Sequence, residues 1–324
     1  MQELPLPEPA KKEIRVKVQA STINVDDQHM AEGSMFGGFP VAPRPTSTRP
    51  WIPGTDLIGV IDCVGSSVRD LHEGDFVCGI RPPKLPGPWA EYCVTRVDFV
   101  SKVPDGWSTE EAAALPVSGA VICSILSAMG PVDGRRCLVV GASGSLGTMI
   151  VPVLKSGGAT VWAVCSGKNR ALVERLGAER VLDYKEASFG SQLASEGRCV
   201  DATVDLLGGR EAQREGLAVT RKEGSFVTVV GPEQHVGERR LNVFQLVGMV
   251  GRISWNMLSS RFAGPKYHFA GPLAPDWDAI HKSIVKPNIR PVIDRVVDFG
   301  EESVREAVGY VASHRARGKV VIKM

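Results

Sequence analysis

The chain has 324 residues, enough for two domains with a substantial core, and its 43% apolar and 23% charged content is ordinary for a soluble globular protein. The formal net charge of +2 comes from interspersed acids and bases, which gives no general electrostatic ground for binding nucleic acid or an anionic membrane. No apolar run approaches the roughly 20 residues that span a bilayer, so no integral membrane segment is expected.

The first residues, "MQELPLPEPAKKE", read as neither a signal peptide nor an Arg-rich transit peptide. The expected location is cytoplasmic, or an organelle if a native N-terminal extension is missing. Residues 1–116 are rich in Gly, Pro and β-branched residues. "EIRVKVQAS" alternates as a half-buried strand, and "LIGVIDCVGSSV", "DFVCGI" and "AEYCVTR" read as further short strands of a small β domain. A Pro-rich loop, "FPVAPRPTSTRP" at 39–50, reads equally as a surface connection or as a segment closing over a site.

From 117 to 263 strand and helix alternate. "CLVVGA", "TVWAVC", "RVLDY", "ATVDLLG" and "SFVTVVG" are buried parallel-type strands, which predicts an α/β, doubly wound parallel sheet. Residues 264–324 hold a Pro-punctuated loop, the helices "DWDAIHKSIVK" and "EESVREAVGYVASHR", and a last strand "GKVVIKM" placed to rejoin the first domain. The seven cysteines, Cys63, Cys78, Cys93, Cys123, Cys137, Cys165 and Cys199, are odd in number and lack C-x-x-C spacing. They read as buried small hydrophobes rather than zinc ligands or disulfides.

The stretch "LVVGASGSLGTMIVPVL" carries the chemistry. Gly141, Gly144 and Gly147 follow a buried strand and open a helix, and the next strand begins at Thr160. That is the context of a dinucleotide fingerprint, in which glycine lets the backbone approach a pyrophosphate held at the helix N-terminus. The competing uses fit less well. A Walker loop needs Lys where Thr148 stands. A nucleophile elbow around Ser143 needs Gly where Ser145 stands, and His235 and His281 have no distinctive context for a triad. A purely structural turn stays open. The second strand ends in "CSGKNR", without the acid that usually holds the ribose of NAD. Ser166 and Lys168 there would hold a 2′-phosphate, which favours NADPH, although Lys168 also reads as a solvated helix residue.

These motifs, with "INVDD", "PGTDLIGVI", "GDFVCG", "WAEY", "EAAALP", "LGAERVLDYK", "DLLGG" and "ARGKVVI", resemble the zinc-free quinone oxidoreductase branch of the medium-chain dehydrogenase/reductase superfamily over nearly the whole chain. The likeness is greatest to mitochondrial reticulon-interacting oxidoreductases and plant chloroplast-envelope homologues. It implies a GroES-like β-rich catalytic domain (1–116, returning at 264–324) joined to a Rossmann NADPH-binding domain (117–263), with the active site in the cleft. It also implies NADPH-dependent reduction of quinones or of the C=C bond of α,β-unsaturated carbonyls by direct hydride transfer, and frequent homodimers. The alternative is a catalytically weak NADPH-binding redox sensor or interaction scaffold.

By the same resemblance, Gly141, Ala142, Ser143, Gly144, Ser145, Leu146 and Gly147 cradle the pyrophosphate. Ser166, Lys168 and Tyr184 lie by the 2′-phosphate and ribose, Gly231 and Gly251 line the nicotinamide side, and Lys319 contacts the cofactor. Asn24 and Asp27 match the family's N-x-x-D at the active-site floor, where Asn24 would bond the nicotinamide ribose or a substrate carbonyl and Asp27 would act or only fix the loop. His29 stands where some relatives carry Tyr and is the candidate proton donor. Gly54-Thr55-Asp56 replaces the G-H-E of zinc-dependent relatives and the Cys-rich lobe is absent, so no metal is expected. Three departures stand out. The chain enters the family pattern just before "EIRVKV", which would either leave a sheet edge exposed or reflect a shortened gene model. Val121 replaces the Thr of a cofactor-contacting L-T-A. "GRISWNML", with Trp255, reads as substrate wall or as plain core.

Overall fold

The computed structural model describes residues 3–31, 51–82, 85–232, 243–271 and 274–324, without the side chains of His29, Ala31, Val243, Gln245 and Leu246. The Pro-rich stretch 39–50 lies outside the described residues.

In chain order the β-rich part contributes β1 (Glu13–Ile23), α1 (Val25–Ala31), β2 (Asp56–Val64), β3 (Phe76–Ile80), β4 (Tyr92–Arg96), β5 (Val100–Lys102) and α2 (Thr109–Ala114). Helix α3 (Pro116–Met129) precedes the alternating part. There follow β6 (Arg136–Val140), α4 (Ser145–Ser156), β7 (Thr160–Cys165), α5 (Arg170–Arg175), β8 (Ala178–Asp183) and α6 (Phe189–Gln192). Then come β9 (Val200–Asp205), α7 (Arg210–Val219), β10 (Thr220–Thr228), α8 (Val243–Ser259) and β11 (Lys266–Phe269). The chain ends with α9 (Trp277–Ile280), β12 (Ile293–Asp298), α10 (Glu301–Ala312) and β13 (Lys319–Lys323).

Two compact units result. The first comprises residues 1–120, 274–277 and 291–324, the second 121–273 and 278–290. In the first, seven strands form a mixed sheet ordered β12-β13-β1-β2-β3-β5, with β4 also on β1. Strand β1 alternates as its sequence requires: Ile14, Val16 and Val18 are buried with Leu57, Ile61 and Val77, while Lys17 and Gln19 face outward. Flanked by β2, β4 and β13, it is no edge strand. The capping box of Ser108 and Glu111 starts α2.

The second unit is an all-parallel sheet ordered β11-β10-β9-β6-β7-β8. Leu138, Val139, Val161, Ala163 and Val204 are fully buried, as expected for strands covered on both faces. The order reverses between β6 and β9, which is the switch point where such sheets place their ligands.

Strand β11, "KYHF", lies in the stretch read as a Pro-punctuated loop; its four residues are too few to show a period. The "DWDAIHKSIVK" helix is one α turn followed by a π turn at 281–285. Trp255 is not core: it is 68% exposed on α8. Five cysteines are buried, and Cys63 and Cys123 are partly covered. Burial pushes the Cys78, Cys93 and Cys137 thiols up to about 12, so they stay protonated and unreactive at neutral pH.

Candidate functional site

In the second unit, the glycine turn leaves β6 at Gly141, whose φ of +85° suits glycine. Its amide and that of Ala142 donate to the Val164 carbonyl, which ties the turn to the end of β7. A Cβ at Gly147 would strike the Gly141 and Ala142 carbonyls, so only glycine lets α4 start this close to the turn. Gly144 is the N-cap of α4, and no side chain caps the helix. Its first amides are therefore left to a ligand or water.

The ends of β7 and β8 lie side by side, with Cys165 paired to Asp183. Ser166 and Tyr184 are the next residues on each. Ser166 is 3% exposed, yet its Oγ has no hydrogen-bond partner. Asn169 donates to Ser143 Oγ at 2.9 Å, and its own Oδ1 is likewise buried and unpartnered. Lys168 and Tyr184 are exposed. A buried, unsatisfied hydroxyl beside an uncapped helix and a glycine turn fits a phosphorylated nucleotide.

Asp183 is the residue that inspection of β7 alone misses. Its carboxylate accepts from the Gly167 amide at 2.7 Å and the Lys185 amide at 2.9 Å. An acid does reach this loop, but from the neighbouring strand, and its two oxygens are engaged in holding the loop's shape. Asp205 does similar work at the end of β9. It accepts from the Leu207 and Gly208 amides and from Thr228 Oγ1, fixing the "LLGG" turn, and burial raises its carboxyl. A Cβ on Gly141 would come within 3.0 Å of Leu207 Cγ, and Gly231 abuts Ile253 of α8. Gly251, two residues earlier, is on the outward side of α8 with open space around it. The structure does not bring Gly251 to Gly231.

In the first unit, Asn24, Asp56 and Lys319 form one buried network. Lys319, 3% exposed, donates to Asn24 Oδ1 at 2.6 Å and Ser118 Oγ at 3.3 Å, and pairs with the fully buried Asp56 at 3.3 Å. Its three N–H donors are thereby matched within this unit. Asp56 also accepts from Thr22 Oγ1 at 2.5 Å, Asn24 Nδ2 at 3.0 Å and the Val117 amide at 2.8 Å. Asn24 is half-buried, with its amide oriented by Lys319 on one end and Asp56 on the other.

Asp27, 1% exposed, accepts from Thr55 Oγ1 at 2.5 Å and from the Asn24 backbone N–H at 2.8 Å, which closes the first turn of α1. Burial pushes its carboxyl up to about 7, against the opposing pull of those two hydrogen bonds. The folded state thus holds a proton that the unfolded chain gives up near pH 4. Its contribution to stability is present in acid and is lost as pH rises from about 4 through 7. Asp27→Asn keeps an acceptor for the Asn24 amide, so it is expected to flatten that slope. Urea midpoints at about pH 5 and pH 8 check this, and an unchanged slope would contradict it. His29 is on α1, but its side chain is outside the described residues.

The family descriptions that match are an alcohol dehydrogenase GroES-like domain over residues 10–105 and a zinc-binding dehydrogenase over 176–322. The chain is 31% identical to the mouse (Mus musculus) mitochondrial NAD(P)H oxidoreductase RTN4IP1, over 96% of this chain and 82% of that one. It is 33% identical to the chloroplast envelope quinone oxidoreductase homolog of Arabidopsis thaliana, over 64% of this chain and 63% of that one. Its fold matches the quinone oxidoreductase of Coxiella burnetii with a TM-score of 0.78 at 24% identity, over 99% of this chain and 93% of that one. The chain belongs to the medium-chain dehydrogenase/reductase superfamily, a family of oxidoreductases.

The second description raises the question of zinc. Among the described residues no three His, Cys, Asp or Glu side chains converge as a metal site. Asp56, at the position of the family's G-H-E, spends its oxygens on Thr22, Asn24, Val117 and Lys319. Among the described residues the donor set does not fit a catalytic zinc. Metal analysis of purified protein is expected to give well under one zinc per chain, and one tightly held zinc would overturn this.

Proposed function

We propose that the chain is an NADPH-dependent, zinc-independent oxidoreductase that reduces quinones or the C=C bond of α,β-unsaturated carbonyls. The observation that carries this is the buried, unpartnered Ser166 hydroxyl beside the glycine turn and the uncapped α4. When bound, reduced nicotinamide supplies a hydride. The turn from Gly141 to Gly147 offers backbone amides to the pyrophosphate. Ser166 and Lys168 hold the 2′-phosphate, with Tyr184 at the edge of that subsite. Asp183, whose carboxylate reaches this loop from β8, is occupied by the Gly167 and Lys185 amides.

The polar floor is the Asn24–Asp56–Lys319 network. Its interlocked bonds fix the Asn24 amide before any ligand arrives, which is the preorganisation that orientation requires. The proton that follows hydride transfer comes from solvent or from His29. His29→Ala is expected to depress turnover at neutral pH, and an unchanged rate across about pH 5 to 8 removes His29 from the mechanism. The names of the relatives support quinone acceptors, and the family resemblance adds enones.

A second reading, a weakly catalytic NADPH-binding sensor or scaffold, rests on Val121. It is 5% exposed and puts an apolar group where the resemblance expects a hydroxyl. Turnover separates the two. Mixed with NADPH and either a benzoquinone or a medium-chain enal, the protein is expected to bleach the nicotinamide absorbance. Binding without bleaching on both acceptors would transfer the case to the scaffold.

A further inference from the structure

Among the described residues, the polar floor of the first unit is supplied with acceptors and short of a free donor. Lys319 carries donors only, so the end of the Asn24 amide that meets it at 2.6 Å must be Oδ1. Asn24 Nδ2 then points at Asp56 Oδ2 at 3.0 Å and Thr22 Oγ1 at 3.4 Å. The Lys319 ammonium is matched to Asn24, Ser118 and Asp56. Asn24 thus has an oxygen lone pair left for a ligand and no unengaged side-chain N–H. A carbonyl that gains negative charge needs the opposite, a donor aimed at its oxygen.

Thr55 can become that donor. Thr22 and Ser118 are fully buried, whereas Thr55 keeps partial access to solvent. Its hydroxyl donates to Asp27 Oδ1 at 2.5 Å, a length usual for a hydroxyl on a carboxylate. The other carboxylate oxygen, Oδ2, accepts from the Asn24 backbone N–H at 2.8 Å. That backbone group can only donate, so a proton on Asp27 belongs on Oδ1, the oxygen facing Thr55. Once there, it is donated to Thr55 Oγ1, and the Thr55 proton is free to turn toward a ligand. Ionised Asp27 holds the hydroxyl, and protonated Asp27 releases it.

Both forms are accessible near neutral pH. Burial pushes the Asp27 carboxyl up to about 7, and the charges of Asp56 on β2 and Asp26 on α1 act in the same direction. The hydrogen bonds from Thr55 and Asn24 oppose them, as does the attraction of the buried Arg81 guanidinium just past β3. The side chain of His29, on the same helix, lies outside the described residues.

We propose that Thr55 is a catalytic donor to the carbonyl oxygen of the acceptor, with Asp27 the positioning residue that passes a proton to it. This rests on the reductase reading above. As the acceptor takes up hydride, its carbonyl oxygen takes the Thr55 proton. Thr55 Oγ1 takes the proton of Asp27 Oδ1 in the same movement, and Asp27 is left as a carboxylate accepting from Thr55. The acceptor gains one hydride and one proton, which gives a hydroquinone, or an enol that tautomerises to the saturated carbonyl. Water restores the proton to Asp27 through the same hydroxyl, so the source is solvent and the two residues fix its route.

Turnover of the full chain with NADPH and a benzoquinone or a medium-chain enal, followed from about pH 6 to about pH 9, tests it. The wild type is expected to slow as pH rises through about 7, because Asp27 loses its proton. Thr55→Val should lower kcat about a hundredfold with NADPH affinity unchanged, and Thr55→Ser, which returns the hydroxyl, should recover most of it. Asp27→Asn has no proton to pass on, so kcat should fall and its pH slope should disappear. A slope that belonged to His29 would survive that change. A protonated-carboxyl infrared band that fades between about pH 5 and about pH 9, and is missing from Asp27→Asn, reads the same proton without turnover. Thr55→Val with the kcat of the wild type, a slope unchanged in Asp27→Asn, or the lack of such a band would overturn the relay and leave the reductase reading in place. A wild type that oxidises no NADPH on either acceptor would instead sink that reading, and the relay with it.

Discussion

Lys319→Met is expected to lower the stability of the first unit by about 3 kcal/mol, because it leaves a buried carboxylate without its counter-charge. The ammonium is 3.3 Å from Asp56, and both side chains are shielded from water. Loss of a buried partner typically costs about 3–5 kcal/mol. The lower end applies here, since Thr22, Asn24 and the Val117 amide still donate to Asp56. Asp56→Asn in the same chain removes the stranded charge, so the double variant should lose less than the sum of the two single losses. Urea unfolding of the four proteins measures that coupling. A Lys319→Met protein with the wild-type midpoint would show that the pair does not hold the unit together. Because Asn24 Oδ1 also loses its 2.6 Å partner, the same substitution should loosen the polar floor and reduce turnover more than cofactor affinity.

Lys168→Ala is expected to raise the KM for NADPH by about ten- to a hundredfold and to leave the KM for NADH nearly unchanged. A hydrogen bond to a charged group contributes about 1.5–3 kcal/mol, and only the 2′-phosphate supplies that charge. The exposure of Lys168 places the effect toward the lower figure. Ser166→Ala should act in the same direction and more weakly, and it should not destabilise the fold, because the hydroxyl it removes has no protein partner. Steady-state kinetics with both cofactors decides the matter. Equal effects on NADPH and NADH would refute a phosphate role for this loop.

The parts of the site that the sequence made legible are contiguous ones. Gly141, Gly144, Gly147, Ser166 and Lys168 sit within or beside single elements, and the strand–turn–helix context that gives them meaning is local. Parallel strands buried on both faces announce themselves as unbroken apolar runs, which is why β6 to β10 were visible. What was not legible depends on pairing across the sheets. Asp183 reaches the Ser166 loop only because β8 lies beside β7. Lys319 reaches Asn24 across 295 positions of sequence, and nothing near either residue signals that their polar groups are spent on each other. Strands β11 and β12 are too short and too polar to reveal a period. Helix α8 shows a different limit: "GRISWNML" is apolar, and apolar segments are expected to be covered, but the structure turns Trp255 and Leu258 outward.

The most direct test of the account is a calorimetric titration of the purified protein with NADPH and, separately, with NADH. The account predicts saturable binding of both, with NADPH tighter by about tenfold or more, the amount that one charge-assisted contact contributes. Equal affinities, or tighter NADH, would mean that Asp183 rather than Ser166 and Lys168 sets the choice. Failure to bind either would contradict the reading of the glycine turn itself.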